Sequence, residues 1–164
     1  MKTQKNQSLL ISENIVQLTL LKEFLETIND TLYTEKTSID TIGSHVRHIL
    51  CCYKETKDYN TTTKDVMGRT YACSIKHIDN AIQYIDVIII WLENFSHEKL
   101  SEKMSGVFRP VMEEETFETN FASRFNEAYT HTVHHHAYIR IIIEENLVNF
   151  GDQKILLPER FGRY

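Results

Sequence analysis

Four segments of this chain place apolar residues at steps of three and four, the spacing that aligns side chains along one face of an α-helix. Only five glycines and two prolines occur in 164 residues, which favours long helices over many short strands. The apolar faces are narrow, as is typical of helices that pack in a bundle. The pattern therefore predicts an all-α fold, a four-helix bundle formed as a single domain over residues 1–164.

The predicted helices follow these apolar stripes. Ser8 is the candidate N-cap of the first helix, and the second helix is expected to begin near Ser38 or Thr41 and to run to about Thr56. In chain order, the four stripes consist of Leu18, Leu21, Leu25, Ile28 and Leu32; of Ile42, Val46, Ile49 and Tyr53; of Tyr71, Ile75, Ile78, Ile82, Ile85, Ile89 and Leu92; and of Phe125, Ala128, Ile139 and Ile142.

The connections differ in length. The fourth helix is predicted to begin near Thr119, after an acidic run between residues 113 and 118 that suits the positive end of a helix dipole, and to continue to about Asn149. The connection from His97 to this acidic run is longer than most loops, which indicates a crossover within the bundle. The C-terminal tail, LLPERFGRY, is expected to lie across the bundle because Pro158 blocks continuation of a helix.

Charge and composition exclude several classes of protein. The formal net charge of -5 argues against a nucleic-acid-binding surface, which would concentrate Lys and Arg on one face. The N-terminus has no apolar signal segment, and the most apolar stretch, IDVIIIWL, is too short to span a bilayer. Cys51, Cys52 and Cys73 lack the spacing of a metal or disulfide motif, so they are interpreted as reduced, apolar residues. We therefore expect a cytoplasmic, soluble protein without a nucleic-acid or membrane partner.

The segment HTVHHHAYI contains four of the eight histidines. His131 and His135 are four residues apart and therefore point to the same side of a helix, a geometry that can chelate one metal ion. They fall within the apolar stripe of the fourth helix, where a buried polar group is costly unless it has a partner such as a metal. His134 is one step off this axis and is predicted to line the cavity, whereas His136 is predicted to be solvated.

The segment TIGSHVRHIL contributes two more histidines, His45 and His48. A tetrahedral metal needs ligands from more than one helix, and three histidines leave a fourth position for water or substrate, the pattern of catalytic sites. Periodicity favours His45 as the third ligand, because it flanks the apolar stripe and His48 lies further toward the polar side. Either residue is a candidate on this reasoning. His77 and His97 stand alone and are interpreted as surface residues.

The two histidine segments together resemble motifs of the DinB/YfiT-like superfamily, in particular the branch that has an "SIGxHxRH" and an "HTxHH" segment. The tail LPERFG resembles the family's terminal "P-x-x-FG" stretch, so the resemblance covers all four predicted helices and reaches the C-terminus. It implies a four-helix bundle of the DinB/YfiT-like type that binds zinc, nickel or a similar divalent ion. The chain departs from the branch at Cys51 and Cys52, where an acidic residue or histidine often stands.

The resemblance also implies which histidines hold the ion. In such proteins the ligand of the second helix follows a short Ser/Thr–Ile–Gly start and lies between two apolar positions. Thr41 begins that start in this chain, and Val46 and Ile49 flank His48. The implied metal ligands are therefore His48, His131 and His135, with His45 as the alternative to His48.

Two classes of function follow from this resemblance. Characterised members include thiol-dependent transferases and isomerases, which implies a metal-dependent enzyme that acts on a small-molecule substrate with a low-molecular-weight thiol. Catalytic residues are not identified, but His45 and His134 are candidate proton carriers and Tyr138 is a candidate donor beside the metal. The alternative is a non-catalytic module that holds or senses metal and works through partners.

The third and fourth helices predict self-association. Val87, Ile88, Ile90 and Trp91 make the third helix apolar beyond its core stripe, and residues 141–143 repeat this excess on the fourth. Large apolar patches are uncommon on monomers, and two-fold pairing is the commonest homo-oligomer. The sequence therefore predicts a homodimer.

Overall fold

Helices dominate the structure, as the spacing of apolar residues predicts. It is a computed structural model, and it describes residues 8–57, 75–108, 115–146, 155 and 157–162. In chain order the elements are α1 (Leu9–Leu25), α2 (Asp30–Thr34), α3 (Ile42–Lys57), α4 (Ile78–Glu93), a 3-10 helix (His97–Ser101), strands β1 (Lys103–Phe108) and β2 (Glu115–Asn120), and α5 (Phe121–Asn146). The third helix begins later than the stripe from Tyr71 predicts, because α4 starts at Ile78 and the described residues 75–77 before it are not helical. Tyr71 itself and the predicted end of the fourth helix near Asn149 lie outside the described residues.

The four long helices form a bundle with a defined order of neighbours. Within the described chain, α1 and α3 each pack against both α4 and α5. Going round the bundle, the order is therefore α1, α4, α3 and α5, and α4 and α5 occupy opposite corners. The long connection between α4 and α5 crosses from one corner to the other, as its length predicts. The seam between α3 and α5 carries both histidine segments.

The core contains most of the predicted stripe residues. Those that are buried include Leu18, Leu21, Leu25, Ile42, Val46, Ile49, Tyr53, Ile78, Ile85, Leu92, Phe125, Ala128, Ile139 and Ile142. On α4 the stripe is centred differently from the prediction, because Ile88 is fully buried whereas Ile82 and Ile89 are only partly so. A helix stripe can be rotated by a fraction of a turn without losing its three-and-four spacing, which is why the pattern alone left this register open.

Fewer apolar side chains are exposed outside the core than the sequence predicts. On α4 they are limited to Val87 and Ile90, which are 46% and 58% exposed. Of residues 141–143 on α5, Ile142 and Ile143 belong to the core and Ile141 is exposed. No helix in the described part of the chain has the length and apolar character that a membrane crossing requires.

The first apolar stripe is divided between two helices. The spacing predicts one continuous helix through Leu32. This prediction is wrong, because α1 ends at Leu25 and α2 begins after Asn29. The side-chain oxygen of Asn29 accepts a hydrogen bond from the backbone N–H of Leu32 at 2.9 Å. This N-cap satisfies a helix donor that would otherwise be unpaired and so favours a new helix start. Ile28 and Leu32 remain buried despite the break.

The starts of α1 and α3 differ in how they are capped. Ser8 occupies the N-cap of α1, but its side chain makes no capping hydrogen bond, so the predicted role of that side chain is wrong. Its carbonyl instead accepts the backbone N–H of Ser12 at 3.0 Å. Thr41 caps α3, because its hydroxyl accepts the backbone N–H of Ser44 at 2.9 Å. Of the two predicted starts for this helix, the structure therefore has the one at Thr41.

The connection to α5 contains a short β-hairpin, which the sequence pattern does not predict and which is added to an otherwise helical bundle. β1 and β2 pair antiparallel, with Lys103 opposite Asn120 at one end of the register. Glu118 belongs to β2 rather than to a helix N-terminus, and it forms a 3.0 Å ion pair with Lys103. The start of α5 is capped by Asn120, whose side-chain oxygen accepts the backbone N–H of Ser123 at 2.8 Å. α5 begins at Phe121, directly after this capping residue, which agrees with the predicted start near Thr119.

The C-terminal tail packs across the bundle, and over residues 157–162 this confirms the prediction. The ring of Phe161 is fully buried between Phe24 of α1 and His136 of α5, at ring-centre distances of 5.0 and 4.1 Å. The carbonyl of Phe161 accepts a hydrogen bond from Nε of Arg140 at 2.8 Å. Gly162 has a φ of 64°, and a Cβ there would lie 2.7 Å from the carbonyl oxygen of His136. The tail therefore contacts α5 at His136 and Arg140 and also contacts α1 at Phe24.

Candidate metal centre

The three predicted ligands converge on the seam between α3 and α5. His131 and His135 lie on successive turns of α5, one above the other, and His48 faces them from α3. One nitrogen from each ring lies within 4.8 Å of the corresponding nitrogens of the other two. The ring of His48 is 4.8 Å, centre to centre, from the rings of both His131 and His135. This arrangement allows the three histidines to hold one metal ion.

The distance between the two α5 ligands suits a shared ion. Nε2 of His131 and Nε2 of His135 are 3.1 Å apart. With metal–nitrogen bonds of about 2.1 Å, a tetrahedral angle separates two ligand atoms by roughly 3.4 Å and a right angle by roughly 3.0 Å. The observed distance lies between these limits, so the pair needs little rearrangement to bind an ion. Imidazole ligands suit zinc, nickel and other divalent transition metals.

His45 lies behind the ligands rather than among them. It is only 8% exposed, and its Nδ1 is 2.8 Å from Nδ1 of His135. That nitrogen of His135 is on the other side of the ring from Nε2, which faces His131. His45 therefore contacts the nitrogen of His135 that does not face His131, and it is not in the group of three rings that converge. The geometry favours His48 over His45 as the ligand from α3, as the family resemblance implies and against the argument from periodicity.

Burial keeps the inner histidines neutral. It lowers the pKa of His135 to about 3, and the neighbouring rings of His131 and His48 act in the same direction. Burial also lowers the pKa of His131, with a further contribution from His48. The pKa of His45 is lowered mainly by burial, which the carboxylate of Asp40 partly opposes. Neutral imidazoles keep a lone pair available, which metal binding requires.

One side of the cluster is open to solvent. His48 is exposed, whereas His131 and His135 are partly buried. His134 is also exposed, and its ring meets the ring of Tyr138 edge to face at 4.6 Å. An ion on the three ligands would therefore be reached from the side of His48 and His134, which is the arrangement of a site that keeps an open position.

Tyr138 links the exposed and buried histidines. Its ring stacks on that of His45 at 5.4 Å with an angle of 20° between the planes. It also lies 6.1 Å from the ring of His135. The three residues named as candidate helpers, His45, His134 and Tyr138, thus all lie beside His135. Their chemical roles remain predictions.

The prediction that His136 is solvated is wrong. Its side chain is fully buried and stacks on Phe161, with 16° between the ring planes. Neither ring nitrogen has a hydrogen-bond partner among the described residues. Burial lowers the pKa of His136 to about 3, so the ring is neutral. Helical spacing does place His136 away from His135, but the tail covers that side of α5.

A buried polar network next to the site was missed by the sequence analysis. Asn14 of α1 is fully buried, and its side-chain oxygen accepts a hydrogen bond from the hydroxyl of Tyr53 at 2.7 Å. The hydroxyl of Thr132, the residue after a predicted ligand, lies 3.4 Å from that of Tyr53. The network therefore joins α1, α3 and α5. A signal was available, since Asn14 stands three residues after Ile11 and four before Leu18, in the middle of an apolar stripe.

An ion-paired arginine lies further along the same seam. Arg124 of α5 contacts Glu55 of α3 at 3.4 Å and Glu127 of its own helix at 2.6 Å. Cys52 lies nearby, and burial raises the pKa of its thiol to about 12. Burial also raises the pKa of Cys51. Both cysteines are therefore protonated and weakly nucleophilic at neutral pH, which agrees with their interpretation as apolar residues.

The chain was compared with models of protein families, with curated proteins and with solved structures, and none of these comparisons finds a match.

Proposed function

We propose that this protein binds one divalent metal ion, zinc or nickel, through His48, His131 and His135, and that it belongs to the DinB/YfiT-like type of four-helix bundle. The observation that carries the proposal is the convergence of three imidazoles from two helices within 4.8 Å of one another. The lowered pKa values of His131 and His135 and the 3.1 Å spacing of their Nε2 atoms support it.

We further propose that the site serves a thiol S-transferase or a related enzyme. A divalent ion in such a site lowers the pKa of a bound thiol or water and so supplies a nucleophile at neutral pH. The side chains of this chain would position the reactants. The exposed rings of His48 and His134 line the open side, where substrate would enter. The rings of His134 and Tyr138 meet at 4.6 Å beside this side, and we propose them as the groups that exchange a proton with a bound reactant.

Metal content tests the first part of this proposal. Protein purified without a histidine tag should contain one equivalent of a divalent ion. The double variant His131→Ala plus His135→Ala should lose it, because two of three ligands are gone. His77→Ala plus His97→Ala removes two exposed histidines elsewhere and is the matched control.

The single variants then test the choice between His45 and His48. His48→Ala should abolish stoichiometric binding, and because the side chain is exposed it should leave the circular dichroism spectrum unchanged. An ion that survives the double α5 substitution would exclude the site. Loss of the ion in His45→Ala, together with its retention in His48→Ala, would show that the wrong histidine of α3 has been chosen.

Turnover tests the second part. Glutathione, cysteine and bacillithiol are each offered with an alkyl halide, and formation of the thioether with release of halide is followed with metal-loaded and metal-free protein. One thiol should support metal-dependent turnover. Stoichiometric metal binding without turnover for any thiol would favour the alternative, a non-catalytic metal-binding or interaction module.

A further inference from the structure

We propose that His45 is a positioning residue for the metal centre: its Nδ1 accepts a hydrogen bond from Nδ1–H of His135 and so keeps the Nε2 lone pair of His135 for the ion. The inference rests on the proposed function, because it concerns the same site. It assigns to His45 a specific tautomer and a specific hydrogen bond, neither of which the spacing of the histidines indicates.

His135 contacts another histidine through each of its ring nitrogens. Nδ1 is 2.8 Å from Nδ1 of His45, and Nε2 is 3.1 Å from Nε2 of His131. A neutral imidazole carries one N–H, so one of its nitrogens donates and the other offers a lone pair. Only the tautomer with the proton on Nδ1 leaves Nε2 free to bind an ion beside His131. In that tautomer His45 must be the acceptor.

The surroundings of His45 permit this tautomer. Its second nitrogen, Nε2, is buried and has no partner among the described residues. No described residue on that side fixes which nitrogen of His45 carries the proton, so the contact with His135 is the one described contact that can favour one tautomer. When His45 accepts at Nδ1, its own proton resides on Nε2.

Packing fixes the plane of the His45 ring. The ring stacks on Tyr138 at 5.4 Å and is inclined at 50° to the ring of His135. It lies on α3 three residues before His48, so one helix carries both a ligand and the support for another ligand. Metal-bound histidines commonly donate their second N–H to such a partner, and loss of the partner typically weakens metal binding about 10- to 100-fold.

Two substitutions at His45 separate hydrogen bonding from packing. His45→Phe keeps a ring on Tyr138 but removes the acceptor, whereas His45→Asn places an amide oxygen near the position of Nδ1. Zinc affinity is measured by competition with a chromophoric chelator. We expect affinity to fall about 10- to 100-fold in His45→Phe and to recover largely in His45→Asn. His97→Phe makes the same replacement at an exposed histidine away from the site and should leave zinc affinity within a fewfold of wild type.

Nitrogen-15 NMR of the histidine rings gives a readout that a merely structural role would not move. The zinc-bound protein should show a proton on Nδ1 of His135 and a coupling across the hydrogen bond to Nδ1 of His45. Wild-type affinity in His45→Phe, or a proton on Nδ1 of His45, would overturn this inference and leave the proposed function intact. A wild-type protein that binds no zinc would overturn the proposed function first.

Discussion

Gly43 and Tyr33 fit against each other at the first turn of α3. A Cβ at position 43 would lie 2.7 Å from Cε1 of the fully buried Tyr33 ring. Real side chains essentially never approach so closely, and the atom met belongs to a packed ring rather than to a flexible chain end. The glycine after Thr41 and Ile42 thus lets α2 lie against the start of the helix that carries His45 and His48.

Gly43→Ala should therefore destabilise the protein, although the same change usually stabilises an exposed helix by up to about 1 kcal/mol. We expect a loss of about 1–2 kcal/mol in the free energy of unfolding, in the range for overpacked cores. Urea unfolding measures this loss. In a Tyr33→Leu background, where the ring is absent, Gly43→Ala should be neutral or stabilising. Equal destabilisation in both backgrounds would contradict the steric explanation.

The buried ring of His136 makes stability depend on pH. Its pKa is about 3 in the folded protein, whereas an unperturbed histidine has a pKa of about 6.5. As the pH falls through this window, the unfolded chain takes up a proton that the folded chain does not. Stability is therefore fully present above about pH 6.5 and is lost toward pH 3, by about 1.4 kcal/mol per pH unit for this one group.

His136→Phe should remove that contribution. In protein stripped of metal, the free energy of unfolding of the variant should fall less steeply between pH 6 and pH 4 than that of wild type, by up to about 1.4 kcal/mol per pH unit. The phenyl ring can keep the stacking on Phe161. The exposed His97, replaced in the same way, is the control and should leave the wild-type slope. Parallel curves for wild type and His136→Phe would mean that the ring is protonated in the folded state.

At the scale of secondary-structure elements, a buried hydrogen bond holds α1 to α3 beside the site. The hydroxyl of Tyr53 donates to the side-chain oxygen of Asn14, and the amide nitrogen of Asn14 donates to the carbonyl of Leu10 at 2.8 Å. Both side chains are fully buried. Because a buried polar atom without a partner is costly, the two residues should depend on each other.

Tyr53→Phe should lower the free energy of unfolding by about 1–3 kcal/mol, since it leaves the oxygen of Asn14 without a donor. Asn14→Leu should cost a similar amount, because it removes the oxygen that accepts the O–H of Tyr53 and leaves only the longer 3.4 Å contact with Thr132. The double variant has neither polar group and should be less destabilised than the sum of the two single changes. Urea unfolding of all four proteins measures this coupling. Strict additivity would show that the hydrogen bond contributes nothing.

At the scale of the whole molecule, the outer face of α4 is the surface on which the homodimer prediction depends. Val87 and Ile90 are 46% and 58% exposed and lie one turn apart. Beside them, Asp86 is ion-paired with Lys22 of α1 at 2.7 Å. A second copy of the chain would cover the apolar pair in a two-fold interface.

Ile90→Glu should convert that dimer to a monomer, because it would place a charge in a desolvated interface. Light scattering at micromolar concentration measures the mass. Ile141→Glu makes the same change at an exposed position on α5, the opposite corner from α4, and should leave the dimer intact. A wild-type mass equal to that of the monomer would refute the prediction.

The spacing of residues determined the features that belong to one helix at a time. It placed His131 and His135 on one face of α5, and it identified most of the residues that form the core. These inferences held because neighbouring side chains on a helix differ by a fixed rotation, whatever the helix packs against. The spacing did not predict the hairpin, because its strands are short and lie in a segment without helical periodicity.

Relations between helices were decided only by the tertiary structure. Spacing could not say how far α3 is rotated toward α5, and this rotation leaves His48 at the open rim and turns His45 toward Nδ1 of His135. The spacing also could not predict that the ring of Phe161, which is distant in the chain, packs on His136. Periodicity specifies angles about one helix axis, whereas the rotation between helices and the cover over a helix face depend on packing among segments far apart in sequence.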